Sequence, residues 1–251
     1  MKVAVVTPYF REPLETLERC HRSVLAQTHA ATHLMIADGH PQPAVDGWDV
    51  RHTRLPLSHG DAGNTARGVG GALAFAEGFD AVCYLDADNW YAEDHVASLV
   101  ELCSRHPLKV AISSRQIVLS TGEAYTGPDT EVAERRHVDT SCVMVTAGAA
   151  ILAPVWSMIP VDMAPIGDRI FLQAVRHHRA SHGWTGRKTL FYESRWERHF
   201  RAMGRTPPAD AHAMDLTALH AAYSSRTMLD RLGFDPFPPR AVELGAASFD
   251  G

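Results

Sequence analysis

Two aspartates separated by one alanine, Asp86-Ala87-Asp88, follow directly on the apolar run Ala81 to Leu85. Two carboxylates on a turn at the end of a buried strand can hold a hard divalent cation through oxygen and leave room for a diphosphate. A cation held there would neutralise the charge that develops on a departing nucleoside diphosphate as a sugar–phosphate bond breaks. The same pair without that context is simply two solvated loop carboxylates. Other constellations argue against competing chemistries. Among 15 histidines, His178 and His182 are four apart, but no HExxH exists, so a zinc hydrolase has no support. The glycine-rich segment 68–71 lies inside a helical pattern, and the first strand ends in Thr7-Pro8-Tyr9 with no glycine. A dinucleotide fold needs its glycines directly after that strand. The cysteines, Cys20, Cys83, Cys103 and Cys142, are scattered with no CxxC pair and read as buried free thiols of a reducing compartment.

The elements that must position the aspartates alternate through the first half. Lys2 to Thr7 is a continuous apolar run, as in a buried parallel strand. Pro13 opens a helix with Leu14, Leu17, Val24 and Leu25 on one face. Leu34 to Ala37 is a second strand stopped by Asp38-Gly39, and Val50 to Leu55 is a third. Ala62, Ala66, Val69, Leu73 and Ala76 keep helical spacing over 62–77. Ala81 to Leu85 is a strand, Val96 to Cys103 a helix and Val110 to Ser113 a strand. This order predicts an α/β fold with a mostly parallel central sheet and helices on both faces. Ligands of such sheets bind beyond the carboxyl ends of the strands, where Thr7, Tyr9, Asp38, Asp86 and Asp88 all fall.

The second half is less regular. Ser141 to Leu152 reads as a strand returning to the sheet, Asp168 to His182 as a helix and Leu190 to Tyr192 as a strand. Residues 201–213, with Pro207 and Pro208, read as a mobile connection to a helix over Asp215 to Leu232 and an irregular tail. One catalytic domain over 1–200 is expected, with 201–251 packing on it. At 251 residues and a net charge of −5, the chain has no basic field for nucleic acid. Only Lys2, Lys109 and Lys188 among the 24 basic residues are lysines. No run approaches the roughly 20 apolar residues of a membrane span, and a cytoplasmic protein is expected, with peripheral membrane contact still open.

The stretches VAVVTPYFREPLETLERCHRSVLAQTH, MIADG, NTARGVGGALAFAEGFDAVCYLDADNWYAEDH and GDRIFLQAVR together resemble family 2 glycosyltransferases of the GT-A fold. The resemblance covers about the first 200 residues, and the block from Asp86 to Tyr91 is its most specific element. It implies that Thr7 and Tyr9 cradle and stack the nucleotide base and that Asp38 hydrogen-bonds it. It further implies that Arg67 lies near the diphosphate, that Asp86 binds ribose or sugar hydroxyls, and that Asp88 is the main metal ligand. Asp168 matches the position of the base that deprotonates the acceptor hydroxyl, although an aspartate before a helical run is also an ordinary cap. His199 matches the late histidine that many such enzymes supply to the metal, and Asp139 falls on the acceptor side.

The resulting expectation is transfer of a sugar from a nucleoside-diphosphate donor, a UDP-sugar, to an acceptor hydroxyl with inversion, assisted by Mn²⁺ or Mg²⁺. The acceptor could be a saccharide, a lipid-linked glycan or a small molecule. A nucleotidyltransferase of similar topology needs a Gly-rich basic loop after its first strand, which this chain lacks. A non-catalytic nucleotide-sugar-binding protein is the other alternative.

Overall fold

A computed structural model describes residues 1–129, 138–213, 215, 217, 219–221 and 227–237. Its strands are β1 (Val3–Tyr9), β2 (Ala31–Asp38), β3 (Arg51–Leu55), β4 (Ala81–Tyr84), β5 (Trp90–Tyr91), β6 (Val110–Leu119), β7 (Val143–Thr146) and β8 (His182–Ser194). Its helices are α1 (Leu14–Leu25), α2 (Asn64–Ala76), α3 (His95–Arg105), α4 (Val155–Met158), α5 (Gly167–His177), α6 (Glu197–Ala202) and α7 (Thr227–Leu232).

Among the described residues the strands form one sheet in the order β3-β2-β1-β4-β7-β6-β8-β5. Parallel pairing joins β3, β2, β1 and β4. At β4 the pairing changes: β7 runs antiparallel to both β4 and β6, whereas β6 and β8 are parallel again. The continuous apolar run at the start of the chain is β1, buried along its whole length between two parallel neighbours. The aspartate turn leaves β4 at the place where parallel pairing gives way, which is where an open α/β sheet leaves a crevice.

Several boundaries differ from the sequence reading. Leu14 and Leu25 are exposed, and the buried stripe of α1 is Leu17, Cys20, His21 and Val24. Helix α2 buries its small residues, Ala66, Gly70, Gly71 and Ala74, while Val69 and Leu73 are only half-buried and Ala76 is exposed. Close approach is the reason: a Cβ on Gly70 would stand 2.5 Å from Val6 Cγ1 and 2.9 Å from Ile36 Cγ1. Gly70 thus serves helix–sheet packing. Only Val143–Thr146 of the segment 141–152 is a strand, with 3₁₀ turns at Thr140–Cys142 and Ala147–Leu152 on either side. Helix α5 stops at His177 because Arg179 takes a left-handed φ of 49°. β6 outruns its apolar core because burial alternates along its second half, and β8 begins at His182 with a first half that is half-buried or exposed before the buried pair Thr189 and Leu190. Of the helix expected over 215–232, residues 216, 218 and 222–226 lie outside the described residues, as does the tail beyond 237.

The segment after α6 is anchored at both ends, by Arg205 on Glu123 and by His212 N donating to the Arg195 carbonyl at 2.7 Å. Trp156 on α4 stacks on Phe171 of α5, with ring centroids 4.3 Å apart, and the two back the site from below. Among the described residues no helix is long and apolar enough to cross a membrane.

Candidate active site

Helix α2 carries the first part of the site. Asp61 caps it by accepting from Thr65 N at 2.8 Å and Thr65 Oγ1 at 2.6 Å, after a turn in which Ala62 and Gly63 both take positive φ. The cap turns Asn64 and Arg67 inward. Arg67 donates to Asn64 Oδ1 at 2.7 Å and to Asp86 Oδ1 at 2.6 Å, and its guanidinium lies 4.8 Å from the Trp156 ring centroid. The pair is enclosed on the arginine side and open on the aspartate side.

The turn after β4 is held from three directions. Asp86 N donates to Ser141 Oγ at 3.0 Å, and the buried Asn89 bridges Ser141 Oγ and the Glu193 backbone N–H. Arg19 donates to the Asp88 carbonyl at 2.6 Å and to Glu193 Oε2 at 2.8 Å. With its backbone fixed, the Asp88 carboxylate faces a cavity of about 410 Å³ and meets no hydrogen-bond donor among the described residues. Burial, followed by the charges of Asp86, Glu193, Asp139 and Glu12, pushes its pKa up to about 7. A surplus of carboxylate oxygen without a protein cation on Asp88 fits a hard divalent ion. Among the described residues no three such side chains converge to cage a metal alone. A diphosphate and water would therefore have to supply most of the coordination.

A second cavity of about 200 Å³ shares Ala62, Arg67 and Asp86 with the first. Asp168 lines it from the first turn of α5, where its Oδ1 accepts from Arg169 N at 2.7 Å. Burial raises its pKa to about 6, opposed by that hydrogen bond and by the charges of Arg115 and Arg169. Opposite stands Asp139, which caps a 3₁₀ turn through Ser141 N at 2.9 Å and accepts from Arg115 at 3.1 Å. Burial raises the Asp139 pKa as well, and Arg115 opposes the rise. Arg115 also grips Asp129 at 3.0 Å and lies 4.9 Å from the Tyr192 ring centroid.

Asp38, Tyr9, Arg67, Asp86 and Asp88 thus share the first cavity, and Asp168 meets Arg67 and Asp86 in the second. Asp38 is buried and accepts from His59 N at 3.0 Å, so part of its capacity fastens the loop at 58–60. Thr7 is fully enclosed and bonded to His33 Nε2 at 2.9 Å; it lines neither cavity. The Tyr9 ring is buried in the small core beside α1, with its hydroxyl bonded to His52 at 2.7 Å and to Gln42 N at 2.9 Å. It lines the first cavity while almost fully enclosed. His199 lines neither cavity. Its Nδ1 is 2.6 Å from Ser194 Oγ, its ring packs on Tyr125, and burial lowers its pKa to about 4. The late histidine on the first cavity is His212. A bridge between Trp196 and His212 puts it there, a long-range pairing with no local sequence signal. Glu12, Arg115, Trp196 and Arg198 are further lining residues that sequence reasoning missed.

A parallel β-α-β half ending in an aspartate turn, joined through an antiparallel strand to a half that closes a second cavity, is the GT-A architecture of nucleotide-diphospho-sugar transferases. The sequence profile described as Glycosyl transferase family 2 matches residues 4–141, more than half of the chain, and the chain belongs to that family. By sequence, no curated protein matches it. Among solved structures it is similar to S. aureus TarS 1-349 in complex with UDP-GlcNAc, with a TM-score of 0.61 at 11% identity, covering 92% of this chain and 66% of that one. The UDP complex of the same TarS fragment gives 0.58 at 11% identity, covering 80% and 62%. The chain spans 38% of the longer TarS chain. At such identity the likeness establishes the fold.

Proposed function

We propose that this chain transfers a sugar from a UDP-sugar to an acceptor hydroxyl, with inversion and with Mn²⁺ or Mg²⁺. One observation carries the reading: the two cavities meet at Arg67 and Asp86, with Asp88 facing one and Asp168 facing the other. The larger cavity suits the nucleoside diphosphate and the smaller the acceptor. That TarS was crystallised with UDP and UDP-GlcNAc supports a uridine donor in the same fold.

Asp88, with Asp86 on the same turn, would hold the metal, which would supply neutralisation of the leaving diphosphate. Arg67 holds the Asp86 carboxylate in place and adds positive charge beside the diphosphate. Asp168 takes the proton from the acceptor hydroxyl. The acceptor oxygen then bonds to the anomeric carbon while the bond from that carbon to the diphosphate oxygen breaks, its electron pair leaving with UDP. A single displacement with one base inverts the anomeric centre.

The test is a thermal-shift panel of UDP, GDP, CMP and dTDP with and without Mn²⁺, followed by an assay of UDP release from UDP-sugars. Saturating UDP with Mn²⁺ should raise the melting temperature, since a ligand at 100 times its Kd adds about 2.7 kcal/mol to the native state. No shift with any nucleotide in the presence of metal would refute the reading.

A further inference from the structure

The proposed reading leaves the acceptor unspecified, and the wall of the smaller cavity narrows it. Trp196 and Arg198 line that cavity and also line a third one of about 240 Å³, so they form a wall common to both. Trp196 is held in place by its indole N–H, which donates to Tyr192 Oη at 2.9 Å. Arg198 lies 5.9 Å from the Trp196 ring centroid, is exposed, and makes no ion pair with a described residue. Of the carboxylates lining the smaller cavity, Asp86 is engaged by Arg67, Asp139 by Arg115, and Asp168 accepts from Arg169 N. Among the described residues Arg198 is therefore a cation without an ion-pair partner, set beside an aromatic ring on a wall of the cavity that Asp168 also lines. Its field is felt locally, because Arg198 and Arg115 add to burial in lowering the His199 pKa.

We propose that the acceptor is an anionic saccharide or polyol, carrying a phosphate or a carboxylate that Arg198 meets while Trp196 supports its carbon skeleton. A guanidinium recognises either anion through paired N–H donors, and aromatic faces pack well against the C–H faces of such skeletons.

This inference rests on the UDP-sugar reading, and one set of titrations separates the two. The wild-type protein, first loaded with UDP and Mn²⁺, is titrated by calorimetry with glycerol phosphate, glucuronate, glycerol and glucose. The phosphate and carboxylate arms distinguish the two sources of charge. At least one anionic probe should bind more tightly than its neutral counterpart, and binding should weaken with salt. Arg198→Gln should reduce that affinity about three- to tenfold, with UDP binding reporting that the variant is folded. Should UDP and Mn²⁺ fail to bind, the donor reading falls. If they bind but neutral and anionic probes are equivalent, or Arg198→Gln changes nothing, the anionic acceptor is overturned while the donor reading stands.

Discussion

Gly70→Ala tests whether the small-residue face of α2 sets the position of Arg67. The added Cβ would stand 2.5 Å from Val6 Cγ1 and 2.9 Å from Ile36 Cγ1. Both neighbours are fully buried in the middle of paired strands, so neither can swing aside. Against the clash works a gain in helix propensity of about 1 kcal/mol, since glycine is the poorer helix former. Overpacking a close-packed core costs about 1–3 kcal/mol, and contacts this short belong to the upper part of that range. The net expectation is a loss of about 1–2 kcal/mol, which lowers the melting temperature of a domain this size by roughly 2–8 °C. Relief of the clash by lifting α2 would also draw Arg67 away from Asp86, so UDP affinity should fall as well. Gly148→Ala is the matched control: its Cβ would meet only ordinary contacts at 3.7 Å and 3.8 Å, and stability should stay within about 0.5 kcal/mol. Thermal melts and UDP titration of both variants decide the matter. A Gly70→Ala protein as stable as the wild type would refute the close-packing account of this helix.

Asp168→Asn keeps the size of the side chain and can still accept from Arg169 N, so it should melt near the wild-type temperature and bind UDP normally. Turnover should drop by about 10²–10⁴-fold, and retained transfer would make Asp168 a structural residue. In the wild type, the rate should rise with pH through about 6 as Asp168 ionises. A rate that is flat from pH 5 to 7 would remove it as the base. His95→Gln tests a stability linkage: burial holds the His95 pKa down at about 3, so the unfolded chain binds its proton first as pH falls. That stability is present above the unfolded pKa near 6.5 and is lost below it, by about 1.4 kcal/mol per pH unit. Chemical denaturation at pH 7.5 and 5.5 should therefore show the wild type losing ground relative to His95→Gln, and an unchanged difference would contradict the linkage.

The parts legible in the sequence are those whose signal is local. β1 and β4 are apolar runs, and the aspartate turn follows β4 within a few residues, so the local pattern alone places Asp86 and Asp88 on a crevice. Asp168 is similarly marked by the helix that starts at its shoulder. The stripe of α2 escapes such reading because a hydrophobic pattern identifies large residues, whereas this interface is built from absences: Ala66, Gly70 and Gly71 let the helix approach. Thr7 and Tyr9 lie on a strand whose every residue is buried, so alternation cannot reveal that Thr7 is enclosed while Tyr9 reaches the wall of the first cavity. His199 and His212 carry the same cue, a histidine late in the chain. Only the pairing of Trp196 with His212 brings His212 to the wall of the first cavity. Arg115 reaches the second cavity through the parallel pairing of β6 with β8, whose alignment shifts between Ser114 and Arg115. No local pattern encodes such an irregularity.

The central claim is that Asp88 joins a metal to the donor diphosphate. Titration of UDP into the wild type and Asp88→Asn, each with Mn²⁺ and with a chelator, tests it most directly. Asp88→Asn removes the charge of the one carboxylate that faces the cavity without a protein donor among the described residues, and leaves the Arg19 bond to the Asp88 carbonyl intact. The account predicts tight, Mn²⁺-dependent binding in the wild type and weak, metal-independent binding in the variant, with both proteins folded. Equal UDP affinity in all four titrations would contradict it.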